Sequence, residues 1–172
     1  MRNSKPIIVL VSICVIAGAA LGGVNMLTSE AIAQNEEESA MAIYREIAPD
    51  ATGFTEIGSD VEGVTACLKA EGCGGYVIVA QSKGYGGEVP IAVYFGPDGS
   101  IVSLSALSNS ETPGLGTKIA EPDFIDQFIG RGDAEIATDD FDAITGATIS
   151  SKAALAAINE AISAHEAIEG RE

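Results

Sequence analysis

The sequence predicts an α+β domain, a small antiparallel sheet flanked by helices, carried behind one N-terminal transmembrane helix. Three observations lead there. The run from Pro6 to Leu27 contains no charged side chain and is long enough to cross a bilayer as a helix. The stretches Tyr76–Ala80, Val89–Phe95 and Ile101–Leu107 are rich in β-branched residues or alternate apolar with polar, and turn residues separate them. Apolar stripes at helical spacing lie on both sides of that cluster.

Taken in order, Arg2 and Lys5 precede the apolar run, whereas Glu30 and Glu36-Glu37-Glu38 follow it. A basic flank on the short side predicts a cytoplasmic N-terminus and an exported remainder. Ala31-Ile32-Ala33 also has the form of a signal-peptidase site, but the apolar run exceeds a usual signal core, which favours an uncleaved anchor. The expected organisation is therefore a cytoplasmic segment at 1–5, an anchor at 6–27, an acidic linker at 28–39 and an extracytoplasmic domain at 40–172. Met41, Tyr44 and Ile47 recur three apart in a short helical pattern over Ala40–Ile47, which Pro49 ends. Residues 50–74 have irregular glycines and predict a loop with at most a short strand. Gly96-Pro97-Asp98-Gly99 is a turn between two strands. In the second of these, Val102, Leu104 and Ala106 alternate with Ser103 and Ser105, so one face should be buried and the other wet. Phe124 and Phe128 mark a short helix at Asp123–Ile129, and residues 130–140 a polar connection. A last helix from Ser151 carries Leu155, Ile158, Ile162 and Ile168 on one stripe. His165, near its end, reads as an exposed or capping residue.

Charge and cysteine usage narrow the function. All 25 Asp and Glu but only seven of the nine Lys and Arg lie beyond residue 27, so residues 28–172 carry a net −18. Such a surface repels nucleic acid and anionic lipid. Cys14 lies in the apolar run; Cys67 and Cys73 are close enough either to close a short disulfide loop or to remain thiols. With a single His in the chain, no Cys/His metal cluster is expected, and no catalytic triad is visible.

Three glycine-bearing segments could hold a ligand. SKGYGG, residues 82–87, lacks the order of a phosphate-binding loop and reads alone as a flexible hairpin loop. In ETPGLG, Glu111 to Gly116, Pro113-Gly114 makes a turn, the glycines bare backbone to an approaching flat ligand, and Leu115 offers an apolar contact. FDAITGATISSKA, Phe141 to Ala153, places hydroxyls on a small-residue turn just before a helix. There, backbone N–H groups and the helix dipole favour a phosphate. A Ser/Thr-capped helix start explains that stretch equally well when it is considered alone.

Together, ETPGLG and D-x-x-T-G-A-T resemble the flavin-binding domain family that includes the G subunit of the Rnf electron-transport complex and the C subunit of sodium-translocating NADH:quinone reductase. The resemblance runs from about Tyr76 to the last helix and includes the single anchor. It implies FMN attached through its phosphate to the last threonine of the motif, which is Thr148. Thr145, Gly146 and Ala147 then form the turn, and Asp142 is the leading acidic residue. It further implies flavin contacts from Glu111, Thr112, Leu115 and Gly116. No His or Lys adjoins Thr148 to activate its hydroxyl, so a separate flavin transferase is the implied maturation partner. The other membrane subunits of an Rnf-type complex are the implied redox partners, within an ion-translocating ferredoxin:NAD oxidoreductase. The short chain fits the G subunit better than the longer quinone-reductase subunit. Two other readings remain: a non-redox extracytoplasmic binding or scaffold domain, and a covalent-FMN domain of another membrane reductase.

Overall fold

The computed structural model describes residues 5–59, 61–132 and 134–170, with the backbone alone at positions 5, 30, 31 and 33. The side chains of the expected basic flank, Arg2 and Lys5, and both alanines of Ala31-Ile32-Ala33 lie outside what is described. The chain divides into two compact units, Met1–Ser39 and Ala40–Glu172.

Helix α1 runs from Lys5 to Ile47. Its segment Pro6–Ser29 has a mean hydropathy of 2.7 and leaves its large apolar side chains exposed, as a bilayer-crossing helix would. The stretch expected as a linker, residues 28–39, is helical as well. Its Ala, Gln and Glu are strong helix formers and no Gly or Pro interrupts them, so local propensity carries the helix through.

The second unit holds one five-stranded antiparallel meander in chain order: β1 Gly53–Glu56, β2 Val64–Glu71, β3 Gly75–Lys83, β4 Glu88–Phe95 and β5 Ile101–Ala106. The α+β expectation therefore holds, with two strands more than predicted. Residues 50–74, expected as loop, supply β1 and β2. The sequence of β2, VTACLKAE, lacks a clean β pattern because cross-strand pairing with the apolar β3, Cys67 opposite Ile78 and Leu68 opposite Val77, stabilises it instead.

Both faces of the sheet are covered. Ile78, Val89, Ile91, Val93, Phe95 and Ile101 pack against helix α3, Thr148–Glu169, through Leu155, Ile158 and Ile162. Val77, Val79, Ala92 and Tyr94 pack on the opposite side against Tyr44, Ile47 and Ala48. The wet face expected on β5 is therefore half-buried, and the Ser103 hydroxyl donates to the Ile47 carbonyl. Val102 does not share the buried face. The β4–β5 register shifts so that Tyr94 pairs with Ser103 and Phe95 with Ile101, leaving Val102 as the extra residue of a bulge, 48% exposed.

The short helix expected at 123–129 is α2, Pro122–Ile125, continued by a 3-10 turn, Asp126–Phe128. Phe124 and Phe128 meet edge-on at 5.3 Å and are buried.

The cysteines are thiols. Cys67 packs in the core under α3, while Cys73 lies on the opposite face, where the Tyr94 hydroxyl donates to its Sγ at 3.2 Å. The sheet stands between them. Burial pushes the Cys67 thiol up to about 11, so it stays protonated at neutral pH. Alkylation of the native protein is expected to label Cys67 at least about 100-fold more slowly than the denatured chain, measured by peptide mass spectrometry.

His165 corrects an expectation. It is 2% exposed, stacked on Phe95 with ring centres 4.5 Å apart and edge-on to Tyr76 at 5.7 Å. Its position at the end of α3 suggested exposure, but the long β3–β4 pair reaches under that end of the helix. Burial lowers its pKa from 6.5, opposed by Glu169 and Glu166. Below 6.5 the unfolded chain takes up the proton and the folded chain resists it, so stability falls as pH drops through that value. The melting temperature of His165→Phe is expected to lose this component between pH 7 and 5.5, measured against the native chain by thermal unfolding.

Candidate functional site

Helix α3 begins at Thr148 with Ala147 as its N-cap, and no side chain caps it. A Ser/Thr cap, the simplest explanation of FDAITGATISSKA, is therefore not what the hydroxyls do. Ser151 instead donates to the Ala147 carbonyl at 3.0 Å and accepts the Ile144 N–H at 3.0 Å, tying the TGAT turn to the helix behind it. Gly146, at φ +85°, makes the turn into the helix in a conformation that L side chains rarely adopt. Among the described residues no side chain caps the first N–H groups of α3 at its positive dipole end.

That end opens on a cleft of about 580 Å³ lined by Tyr85, Thr112, Leu115, Gly116, Gly146, Ala147, Thr148, Ile149 and Ser150. Its size is within the range of about 300–1,000 Å³ usual for small-molecule sites. Although residues 28–172 carry a net −18, none of these side chains is acidic or basic. Tyr85, Leu115 and Ile149 leave apolar surface exposed around it, at 72%, 39% and 56%. Lys152, one helical turn beyond Thr148, lines a different groove with Asn159 and Glu160.

A buried carboxylate holds the cleft together. Glu111, 4% exposed, accepts the Tyr85 and Gly86 N–H groups on Oε1 at 2.8 and 3.0 Å, and the Ser150 hydroxyl on Oε2 at 2.6 Å. Burial raises its pKa, but the bonds from Ser150, Gly86 and Tyr85 together outweigh it, leaving the pKa below the usual value. The three partners belong to the β3–β4 hairpin loop and to the first turn of α3. Gly116 makes room for this arrangement: a Cβ there would stand 2.6 Å from Glu111 Oε2 and 2.8 Å from Ser150 Oγ.

Of the expected residues, Thr112, Leu115, Gly116, Gly146, Ala147 and Thr148 meet at the cleft. Glu111 sits behind its wall. Thr145 is exposed beside the turn and lines no part of it. Asp142 lies in a neighbouring depression with Lys118, Glu121 and Asp123, its N–H donating to Gln127 at 2.7 Å. Tyr85, Ile149 and Ser150 join the cleft without having been singled out. SKGYGG read as a hairpin loop, which it is, with Gly84 N–H donating to Gly87 O. Its second role depends on Glu111, 26 residues away in the chain.

Comparison with known proteins decides the family. The chain is 33% identical over 156 residues to the G subunit of the proton-translocating ferredoxin:NAD(+) oxidoreductase complex of Clostridium ljungdahlii, covering 87% of this chain and 84% of that one. It is 31% identical to the G subunit of an ion-translocating oxidoreductase complex of Methanosarcina acetivorans, over 97% and 96% of the two chains. The chain belongs to this G-subunit family. The pattern of the family described as FMN-binding domain matches residues 84–163, from the SKGYGG loop into α3. A solved structure, the C subunit of the Na(+)-translocating NADH-quinone reductase of Parabacteroides distasonis, aligns over 60% of each chain with a TM-score of 0.48 and 22% identity. The family expected from ETPGLG and TGAT therefore holds: the chain is a membrane-associated, FMN-binding electron-transfer subunit.

Proposed function

We propose that this subunit carries FMN bound covalently to Thr148 by a phosphoester and relays electrons among the other membrane subunits of an Rnf-type, ion-translocating ferredoxin:NAD oxidoreductase. The observation that carries it is the position of Thr148: first residue of an uncapped helix, exposed, its hydroxyl free of any capping bond, on the wall of an uncharged cleft.

The residues present fit the group. The helix N-terminus and the Gly146-Ala147 turn suit a phosphate, while Leu115, Ile149 and Tyr85 offer apolar surface to a flat ring system and Gly116 and Thr112 leave its edge close to backbone. Glu111, bonded to Ser150, holds these walls in place. Asp142 and Thr145 flank the turn that presents Thr148 to the group. Bound FMN supplies one- and two-electron redox chemistry, and the chain holds it and excludes water from part of it.

Thr148 contributes the oxygen of the ester and gives up its proton. Among the described residues no imidazole, amine or carboxylate lines the cleft to take that proton, so a flavin transferase provides the base and a pyrophosphate-linked flavin donor, whose pyrophosphate bond breaks as the ester forms and whose nucleoside monophosphate leaves. The anchor at 6–27, with a cytoplasmic N-terminus and the domain at 40–172 on the opposite side, makes a covalent bond useful, since a flavin lost outside the cytoplasm is not recovered.

The chain made together with a flavin transferase is expected to give a fluorescent flavin band on a denaturing gel. A non-fluorescent band from fully active transferase overturns the covalent reading.

A further inference from the structure

At the other end of α3, 17 residues and about 25 Å from Thr148, a second, smaller cavity of about 230 Å³ is lined by Asp98, Ser100, Arg131, His165, Glu166 and Glu169, with glycines between them. It is smaller than the usual small-molecule pocket and has room for one extended side chain.

His165 makes this cavity more than a surface dent. Stacked between Phe95 and Tyr76, the ring occupies a position that a phenylalanine would fill equally well. Yet neither ring nitrogen is hydrogen-bonded to a described residue, and neither is sealed from the cavity that the ring lines. The nearest carboxylate, Glu169 Oε1, is 4.0 Å from Nε2, beyond hydrogen-bond length. Open to the cavity, these nitrogens are available to pair with a group that enters it. The carboxylates of Asp98, Glu166 and Glu169 surround it, against one cation, Arg131, whose guanidinium is already engaged by the Asp140 carbonyl at 3.1 Å. The lining therefore has an excess of negative charge and one neutral imidazole with a free lone pair. Among the described residues no group of His, Cys, Asp and Glu is arranged to hold a metal ion. An anion would face three carboxylates.

We propose that this cavity is a socket for a basic side chain, the ammonium of a lysine or the guanidinium of an arginine presented by another subunit, which donates to His165 and pairs with Glu169 and Glu166. Charge complementarity names the occupant: residues 28–172 carry −18, and a protruding cation on a partner is the chemistry such a socket attracts and orients. Docking at this end leaves the cleft at the Thr148 end free.

The single histidine allows a clean test. The full chain in detergent micelles, labelled with 15N-histidine, is titrated with ethylammonium and N-ethylguanidinium chloride at constant ionic strength. The ring 15N resonances are expected to shift saturably, with half-saturation at least fivefold weaker in Glu169→Gln, whose side chain is 58% exposed. Shifts that only match sodium chloride, a saturable response to sulfate instead, or an unchanged half-saturation in E169Q would each overturn the socket. A second measurement separates a side chain from a free amine. Glu169→Lys is expected to reduce co-purification of the other membrane subunits several-fold without changing flavin content. Saturable amine binding with undiminished co-purification would overturn the docking role.

Discussion

Replacing Thr148 with valine is expected to abolish covalent flavin, lowering the flavinylated fraction of the peptide containing residue 148 by at least about 100-fold, since a methyl group of nearly the same shape has no oxygen to form the ester. The fold should be indifferent. Thr148 is exposed and its hydroxyl caps nothing, so the melting temperature of the apoprotein is expected to stay within the small range of a neutral surface substitution. Peptide mass spectrometry and thermal unfolding on the same preparation check both halves. Thr145→Val gives the contrast, because Thr145 does not line the cleft and so leaves the attachment oxygen in place. Flavin retained by Thr148→Val at the native level would refute the assignment of the tether.

The second large effect is at Glu111. Its removal in Glu111→Ala leaves the Tyr85 and Gly86 N–H groups and the Ser150 hydroxyl without their common acceptor, in a place that is 4% exposed. The expected loss is about 2–4 kcal/mol of stability, read by urea unfolding. The cleft walls should separate as well, so the flavinylated fraction falls even below the unfolding midpoint. Because folding holds this carboxyl below 4.5, the stability it contributes is fully present above 4.5 and is lost as pH falls through the folded value. The native chain and Glu111→Ala should accordingly converge in strongly acidic solution. Glu111→Gln keeps an acceptor for both N–H groups and is expected to recover most of the geometry without the charge.

These two residues also show how far each level of description reaches. The turn and helix start that carry Thr148 were legible from FDAITGATISSKA because the motif is local, a Gly-Ala turn running into a helix written in consecutive residues, whereas the tether itself came from the resemblance alone. Glu111 was legible only as a member of ETPGLG, and the hydrogen bonds it makes were not legible at all. Its partners stand in segments 25 to 39 residues away. No periodicity links positions that far apart. The two missed strands have the same cause, since β2 depends on pairing with β3 rather than on its own pattern. Val102 was misassigned because a bulge at that position puts Ile101 rather than Val102 on the face that Leu104 and Ala106 continue.

The sequence by itself determined the apolar segment at 6–27, the acidic balance, the three central strands, the last helix and the two motifs that identify the family. All of these are set by composition or by spacing shorter than one element. Tertiary structure alone decided that both sheet faces are covered, that Cys67 and Cys73 stand on opposite sides of it, that His165 is buried, and that a carboxylate joins the hairpin loop to the start of α3. Each of those results from which surfaces the chain brings together, and burial and hydrogen bonding act on the assembled surface rather than on the order of residues.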